Sequence, residues 1–302
     1  MEICAGAGGA ALGLERAGFI SAGAVEIDAA ACATLRANRP TWNVVENDVR
    51  AVSGWDYAGI DLLAGGVPCP PFSIAGKQLG ADDERDLFPQ ALRIAEQARP
   101  AAVLLENVPG FASARFDQYR NTLLARLVRL GYEVDWRVLQ ASSFGVPQLR
   151  PRFILVAIRA PYFARFLWPT AADSAPTVGG AIGDLMGARG WGGVERWRER
   201  ANAIAPTLVG GSKKHGGPDL GPTRARKQWE SLGVDGLGLA AEAPDATFPV
   251  DGLPRLTIRM AARLQAFPDD WRFSGGKTAQ YRQVGNALPP PVAQAVAMAI
   301  RG

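Results

Sequence analysis

The chain has 302 residues, 48% hydrophobic and 21% charged, with a net charge of +4 and a pI near 9.1. That length can bury a full core, and a large domain with a smaller insert is the natural expectation. No apolar run reaches the ~18 residues of a membrane helix, and no basic region followed by an apolar segment opens the chain, so neither a membrane span nor a signal peptide is expected.

The three cysteines, Cys4, Cys32 and Cys69, are scattered and odd in number. They suit a reducing, cytoplasmic compartment, not a disulfide framework or a zinc site. With one histidine, His215, a His-based triad or multi-His metal site is not expected. The basic balance permits a polyanionic partner.

Met1 to Cys4 reads as a stub of strand, with room for a few further residues ahead of it. Ala5-Gly6-Ala7-Gly8-Gly9 then leads into a helix carrying Leu12, Leu14 and Ala17. Strand, glycine turn and helix form a nucleotide-binding opening. Val25-Glu26-Ile27-Asp28 ends a second strand, where an acid can accept hydrogen bonds from ribose hydroxyls. Ala29 to Asn38 reads as a helix, and Val44 to Asp48 as a third strand with an acid at its tip. Gly6-x-Gly8-x-x-Ala11 also fits a dinucleotide fingerprint, so these fifty residues leave an NAD enzyme and another adenosine binder both open.

Ile60 to Ala64 is a short apolar run that reads as a buried strand. It leads into Gly65-Gly66-Val67-Pro68-Cys69-Pro70-Pro71-Phe72-Ser73, where prolines hold the chain extended around a single thiol. A thiol just past the carboxyl end of a strand lies where open α/β folds place their chemistry. As a thiolate it is a nucleophile; as a thiol it is a small buried hydrophobe, and both readings stand at this point. A helix over Leu87 to Ala98 and a strand at Val103 to Leu105 follow. Glu106 lies at the end of that strand, in the position Cys69 holds on the previous one, so the two can converge on one substrate.

Phe116 to Leu130 is amphipathic, and Tyr132 to Leu139 alternates as a strand. Arg150 and Arg152 precede the strand Phe153 to Ile158 and share a face if extended. From about Pro161 to Leu253 glycine and proline are dense and periodicity fades. There Lys213, Lys214, His215, Arg224, Arg226 and Lys227 are flanked by Trp191, Trp197 and Trp229. The basic residues point to nucleic acid, and the tryptophans to a small core. Helical sequence resumes from Leu256 to Leu264, and Gln283 to Pro290 opens a last helix reaching about Ile300.

In this order and spacing the set resembles the C5-cytosine DNA methyltransferase family, over roughly 1–160 and 255–300. The resemblance is carried by the AGAGG turn, Glu26, Asp48, Pro68-Cys69, Glu106-Asn107-Val108, Gln148-x-Arg150-x-Arg152, Arg263-Leu264-Gln265-x-Phe267-Pro268 and Gln283-x-Gly285-Asn286-Ala287. It implies a Rossmann-like α/β sandwich with a mostly parallel sheet: a catalytic, cofactor-binding domain at 1–160 and 255–302, and a loop-rich target-recognition domain inserted at 161–254.

It further implies methyl transfer from S-adenosylmethionine to carbon 5 of a flipped cytosine in double-stranded DNA, leaving S-adenosylhomocysteine. The implied catalytic set is Cys69, Glu106, Arg150 and Arg152, with Arg150 positioning loop or backbone. The implied cofactor residues are Cys4, Gly6, Ala7, Gly8, Gly9, Glu26, Ile27, Asp48, Val49, Pro68, Asn286, Ala287 and Leu288. Contacts to DNA are expected from Ser73, Lys77, Thr207 and the basic residues named above, with residues between Phe72 and Asp86 closing over the base. A restriction endonuclease is a possible companion. The same chemistry on RNA, or a DNA-binding relative without catalysis, would preserve much of this pattern. Two departures stand out: Cys4 where many members have Phe, and Pro70 where Gln is frequent.

Overall fold

A computed structural model describes residues 1–68, 86–171, 174–211 and 219–302. Within them the chain divides into two compact units, 1–139 with 151–169 and 293–302, and 140–150 with 170–292.

The first unit is built on a seven-stranded sheet of order β3-β2-β1-β4-β5-β7-β6. Its strands are β1 (Glu2–Ile3), β2 (Ala24–Glu26), β3 (Val44–Glu46), β4 (Leu62–Gly66), β5 (Ala102–Asn107), β6 (Tyr132–Gln140) and β7 (Pro151–Arg159). The pairs β3-β2, β2-β1, β1-β4 and β4-β5 are parallel, and β7 runs antiparallel to β5. Helices α1 (Gly9–Arg16), α2 (Ala29–Asn38), α3 (Phe88–Ala98) and α4 (Asp117–Arg129) connect them.

The central strands read as nearly unbroken apolar runs because both their faces are buried. Alternate residues Leu63, Val103, Leu105, Phe153 and Leu155 join a core with Phe88, Leu92, Phe111, Phe116 and Leu127. The residues between them, Leu62, Leu104, Ile154 and Val156, are buried as well. In that core Phe88 stacks on Phe111 at 4.8 Å, and Phe153 meets Phe111 edge-on at 4.9 Å. This places the carboxyl ends of β1, β2, β4 and β5 along one edge of the sheet, where ligands of open α/β folds bind.

The second unit carries α5 (Val178–Met186), α6 (Val194–Arg200), α7 (Thr223–Ser231), α8 (Ile258–Leu264) and α9 (Lys277–Asn286). The last helix, α10 (Pro290–Arg301), contributes residues to both units. Trp191, Trp197 and Trp229 are all buried, so they form core as their composition implied. Two of the indoles donate to carbonyls, Trp191 to Pro249 at 3.0 Å and Trp197 to Gly233 at 3.1 Å.

This unit differs from the expected 161–254 segment by taking in 140–150 and the helices α8 and α9. Buried hydrogen bonds from Gln148 and Arg150 to this part of the chain explain the difference. The segment is also more helical than its sequence implied. α5, α6 and α7 are short and rich in Gly or Arg, so periodicity over them is weak. The single expected last helix is two, α9 and α10, separated by Ala287-Leu288-Pro289.

Candidate active site

Two residues of the expected reacting set meet at the end of β5. The register pairs Glu106 with Ile154 of β7, so Arg152, two residues earlier, stands on the same face. Its Nε lies 2.9 Å from Glu106 Oε1, with both side chains nearly buried. The separation is that of an ion pair, but this N–H is not aimed at a hydrogen-bond acceptor. Nη1 of Arg152 donates to the Pro151 carbonyl at 2.8 Å. Burial pulls the guanidinium below its ordinary pKa, and Glu106 opposes that shift. On the other side, β4 pairs Gly66 with Glu106. A Cβ at Gly66 would lie 3.0 Å from Glu106 Oε2, so glycine is what leaves room for the carboxylate.

Asn107, which the sequence offered only as part of a triplet, holds the approach to the cysteine. It is buried, and its Nδ2 donates to the Val67 carbonyl at 2.7 Å. One residue on, Leu87 N donates to the Pro68 carbonyl at 3.3 Å. Asp86 accepts from Phe88 N at 3.0 Å and from the Tyr119 hydroxyl. Cys69, Ser73 and Lys77 lie outside the described residues, as do Lys213, Lys214 and His215. The chain on either side of 69–85 is thus fixed by Asn107 and by Asp86 with Tyr119.

The two described thiols are poor nucleophiles. Burial, reinforced by Glu26, pushes Cys4 up to about 12. Burial and Glu46 push Cys32 up to about 11, and its Sγ donates to the Glu26 carbonyl at 3.3 Å. Near neutral pH both stay protonated.

The glycine turn is shaped by backbone and by one acid. Gly6 and Gly8 take φ of 54° and 85°, the left-handed region that glycine enters without strain, and Cys4 is forced there at 52°. Glu26, at the end of β2, accepts from Gly6 N at 2.7 Å, Ile27 N at 2.9 Å and Asp28 N at 2.8 Å. The acid therefore orders the turn, a role no sequence signal showed. A carboxylate has about four lone-pair sites, so acceptor capacity remains for ribose hydroxyls.

Ala7, Gly8 and Gly9 are buried, and Gly8 caps the N-terminus of α1 with no side-chain hydrogen bond. Ile27 is 66% exposed, an apolar surface beside the acid. Asp48 accepts from Arg50 N at 2.9 Å and from its guanidinium at 2.7 Å, which holds its carboxyl below the usual carboxylate range. Val49 is buried behind it, and Pro68 is exposed. These donors and acids fit an adenosine-containing cofactor.

In the second unit, three of the separately quoted motif pieces interlock around Leu208. Gln148 Oε1 accepts from Leu208 N at 2.8 Å, and Arg150 Nη1 donates to the Leu208 carbonyl at 2.7 Å. Arg150 Nη2 donates to the carbonyls of Gly285 and Ala287 at 2.7 and 2.9 Å. Gln148 Nε2 donates to Gln265 Oε1 at 2.6 Å, and Gln265 Nε2 to the Val284 carbonyl at 2.8 Å. Gln148, Arg150 and Gln265 are each 0% exposed. Arg150 therefore stands among main-chain carbonyls.

The hydroxyl of Thr207 donates to the Leu149 carbonyl at 2.6 Å, and Asn286 Nδ2 to the Gly211 carbonyl at 3.1 Å. Ala287 is half-buried and Leu288 buried. On α7, Arg224 and Lys227 are exposed and Arg226 half-buried, anchored by the buried Trp229.

A mostly parallel sheet with an antiparallel β7, glycine turn and acids at its strand ends defines a Rossmann-like methyltransferase. The model of the C-5 cytosine-specific DNA methylase family matches residues 1–302, and the chain belongs to that family. It is 54% identical to the type II methyltransferase M.NaeI of Lentzea aerocolonigenes, over 100% of this chain and 74% of that protein. It is 52% identical to M.NgoMIV of Neisseria gonorrhoeae, over 98% and 95%. Its fold superposes with a TM-score of 0.69 on a candidate DNA modification methyltransferase from an E. coli prophage, at 25% identity, covering 99% of this chain and 97% of that one. The protein is a DNA (cytosine-5-)-methyltransferase.

Proposed function

We propose that the protein methylates carbon 5 of a flipped-out cytosine in a specific double-stranded DNA sequence, with Cys69 as nucleophile and S-adenosylmethionine as cofactor. The observation that carries the reading is the Glu106–Arg152 pair at 2.9 Å on adjacent strands. Burial of Cys4 and Cys32, which raises the pKa of both thiols, supports Cys69 as the nucleophile.

Carbon 5 of cytosine is a weak nucleophile, and the target base is inaccessible within a duplex. Addition of the Cys69 thiolate at carbon 6 makes carbon 5 enamine-like. Electron density then moves towards N3 and O2. Glu106 holds N3 and the exocyclic amine and shares a proton at N3, while Arg152 donates to O2. The buried setting strengthens both contacts. Carbon 5 takes the methyl group, its proton then passes to water, and the freed electron pair restores the carbon 5–carbon 6 double bond as Cys69 leaves as thiolate. The cofactor supplies an electrophilic methyl group. Gly6, Ala7, Gly8 and Gly9 give it backbone donors, Glu26 accepts from its ribose, and Asp48 accepts from its adenine amine. Ile27 and Val49 give apolar contact.

Thr207, Arg224, Arg226 and Lys227 belong to DNA binding in this reading, with a type II restriction endonuclease as the cognate partner. The test is methylation of a mixed-sequence plasmid followed by bisulfite sequencing, with an RNA substrate in parallel. Cytosines protected within one short sequence are expected. Protection confined to the RNA would overturn the DNA assignment.

A further inference from the structure

Leu208 is buried, and both its backbone groups are held by side chains, N–H by Gln148 and carbonyl by Arg150. The neighbouring backbone runs beside 147–150, with Ala205 N donating to the Pro147 carbonyl at 3.1 Å and Leu149 N to the Ala205 carbonyl at 2.7 Å. Where that short ladder ends, the Gln148 and Arg150 side chains continue it.

Beyond Leu208 the chain lies directly on the end of α9. A Cβ at Gly210 would come within 2.6 Å of the Arg282 carbonyl and of Asn286 Oδ1, and one at Gly285 within 2.4 Å of Gly210 N. Two glycines therefore let backbone meet backbone, and Arg150 clamps that seam by binding Leu208 on one side and Gly285 and Ala287 on the other. Val209 between them is 45% exposed.

We propose that Arg150 is a positioning residue for DNA recognition: it seats the segment Thr207–Gly211 on the end of α9, so that Thr207 and Val209 are presented to the duplex in a fixed place. This rests on the proposed DNA-methylating function. The planar fork of arginine suits three carbonyls arriving from two segments. A lysine keeps the charge and three N–H donors but presents them from a single nitrogen, which cannot stand where both Nη1 and Nη2 do.

The experiment measures kcat and KM with a mixed-sequence plasmid for Arg150→Lys, Gly210→Ala and the double variant, with thermal melting to verify folding. Gly210→Ala pushes the same segment off α9 and leaves the guanidinium intact, so it carries the test if Arg150→Lys fails to fold. Each variant is expected to raise KM for the plasmid at least fivefold, with a smaller change in kcat. The double variant is expected within twofold of the stronger single one, because both act on one seam.

A fall in kcat for Arg150→Lys at unchanged KM, or a Gly210→Ala enzyme within twofold of wild type in KM, overturns the proposal. A wild-type protein that methylates no plasmid overturns the functional reading and this inference with it.

Discussion

At the scale of single residues, the acids at the strand ends and on β1 do different work. Glu106 forms an ion pair with the Arg152 guanidinium, and Glu26 accepts from three backbone N–H groups. Glu2 on β1 is buried with Oε2 unpaired, and burial pushes it up to about 8, against the pull of the terminal ammonium. The unfolded chain releases this proton near the ordinary 4.5, so the contribution of Glu2 to stability is full below that pH and is lost as pH rises to about 8. Glu2→Gln should therefore raise the melting temperature by several degrees at about pH 8 and very little at about pH 4. An equal effect at both would show that Glu2 is already ionised in the fold. Asn107 is a second residue-scale case. Asn107→Asp sets a carboxylate against the Val67 carbonyl in place of a donor, a loss of about 1–3 kcal/mol at that contact. Methyl transfer is expected to fall at least tenfold, while calorimetry gives S-adenosylhomocysteine affinity within threefold of wild type. Unaltered turnover would mean that the strand end leading to Cys69 is held by other groups.

Among elements, β4, β5 and β7 form the frame in which the reacting groups are set. Gly66→Ala should leave the sheet standing, because Gly66 ends its strand, yet turn the Glu106 carboxylate away from Arg152. The expected result is at least a tenfold loss of kcat with a melting temperature within about 3 °C of wild type, a shift of roughly 1 kcal/mol. Normal activity would show that Glu106 adjusts freely. Phe111→Ala, which removes the ring between Phe88 and Phe153, should instead cost about 3–5 kcal/mol in denaturant unfolding. The central strands and α2, α3 and α4 were legible in the sequence because two-sided burial makes short apolar runs and one-sided burial makes amphipathic stripes. α5, α6 and α7 were not, because a small core held by tryptophans leaves little periodicity. The site was legible as a set of motif pieces, since each has its own residue signature. Their joining was not: Gln148 and Gln265 are 117 positions apart and meet through a side-chain bond that no local pattern encodes.

For the molecule as a whole, the proposed chemistry lies on the sheet and the proposed reading of DNA in the second unit. Replacing Met186 to Pro254 with the same region of a relative should change which sequence is protected in bisulfite sequencing. An unchanged pattern from a folded, active chimera would place recognition elsewhere. The claim on which everything turns is that Cys69 bonds to the base. Fluorine at carbon 5 cannot leave as a proton does, so on 5-fluorocytosine duplex the reaction should stop with the thiol still attached. With S-adenosylmethionine present, the wild-type protein should run as a denaturation-resistant adduct on a gel, with mass spectrometry placing the bond on Cys69, and Cys69→Ser should form none. An adduct on Cys4 or Cys32, or full turnover by Cys69→Ser, would contradict the account.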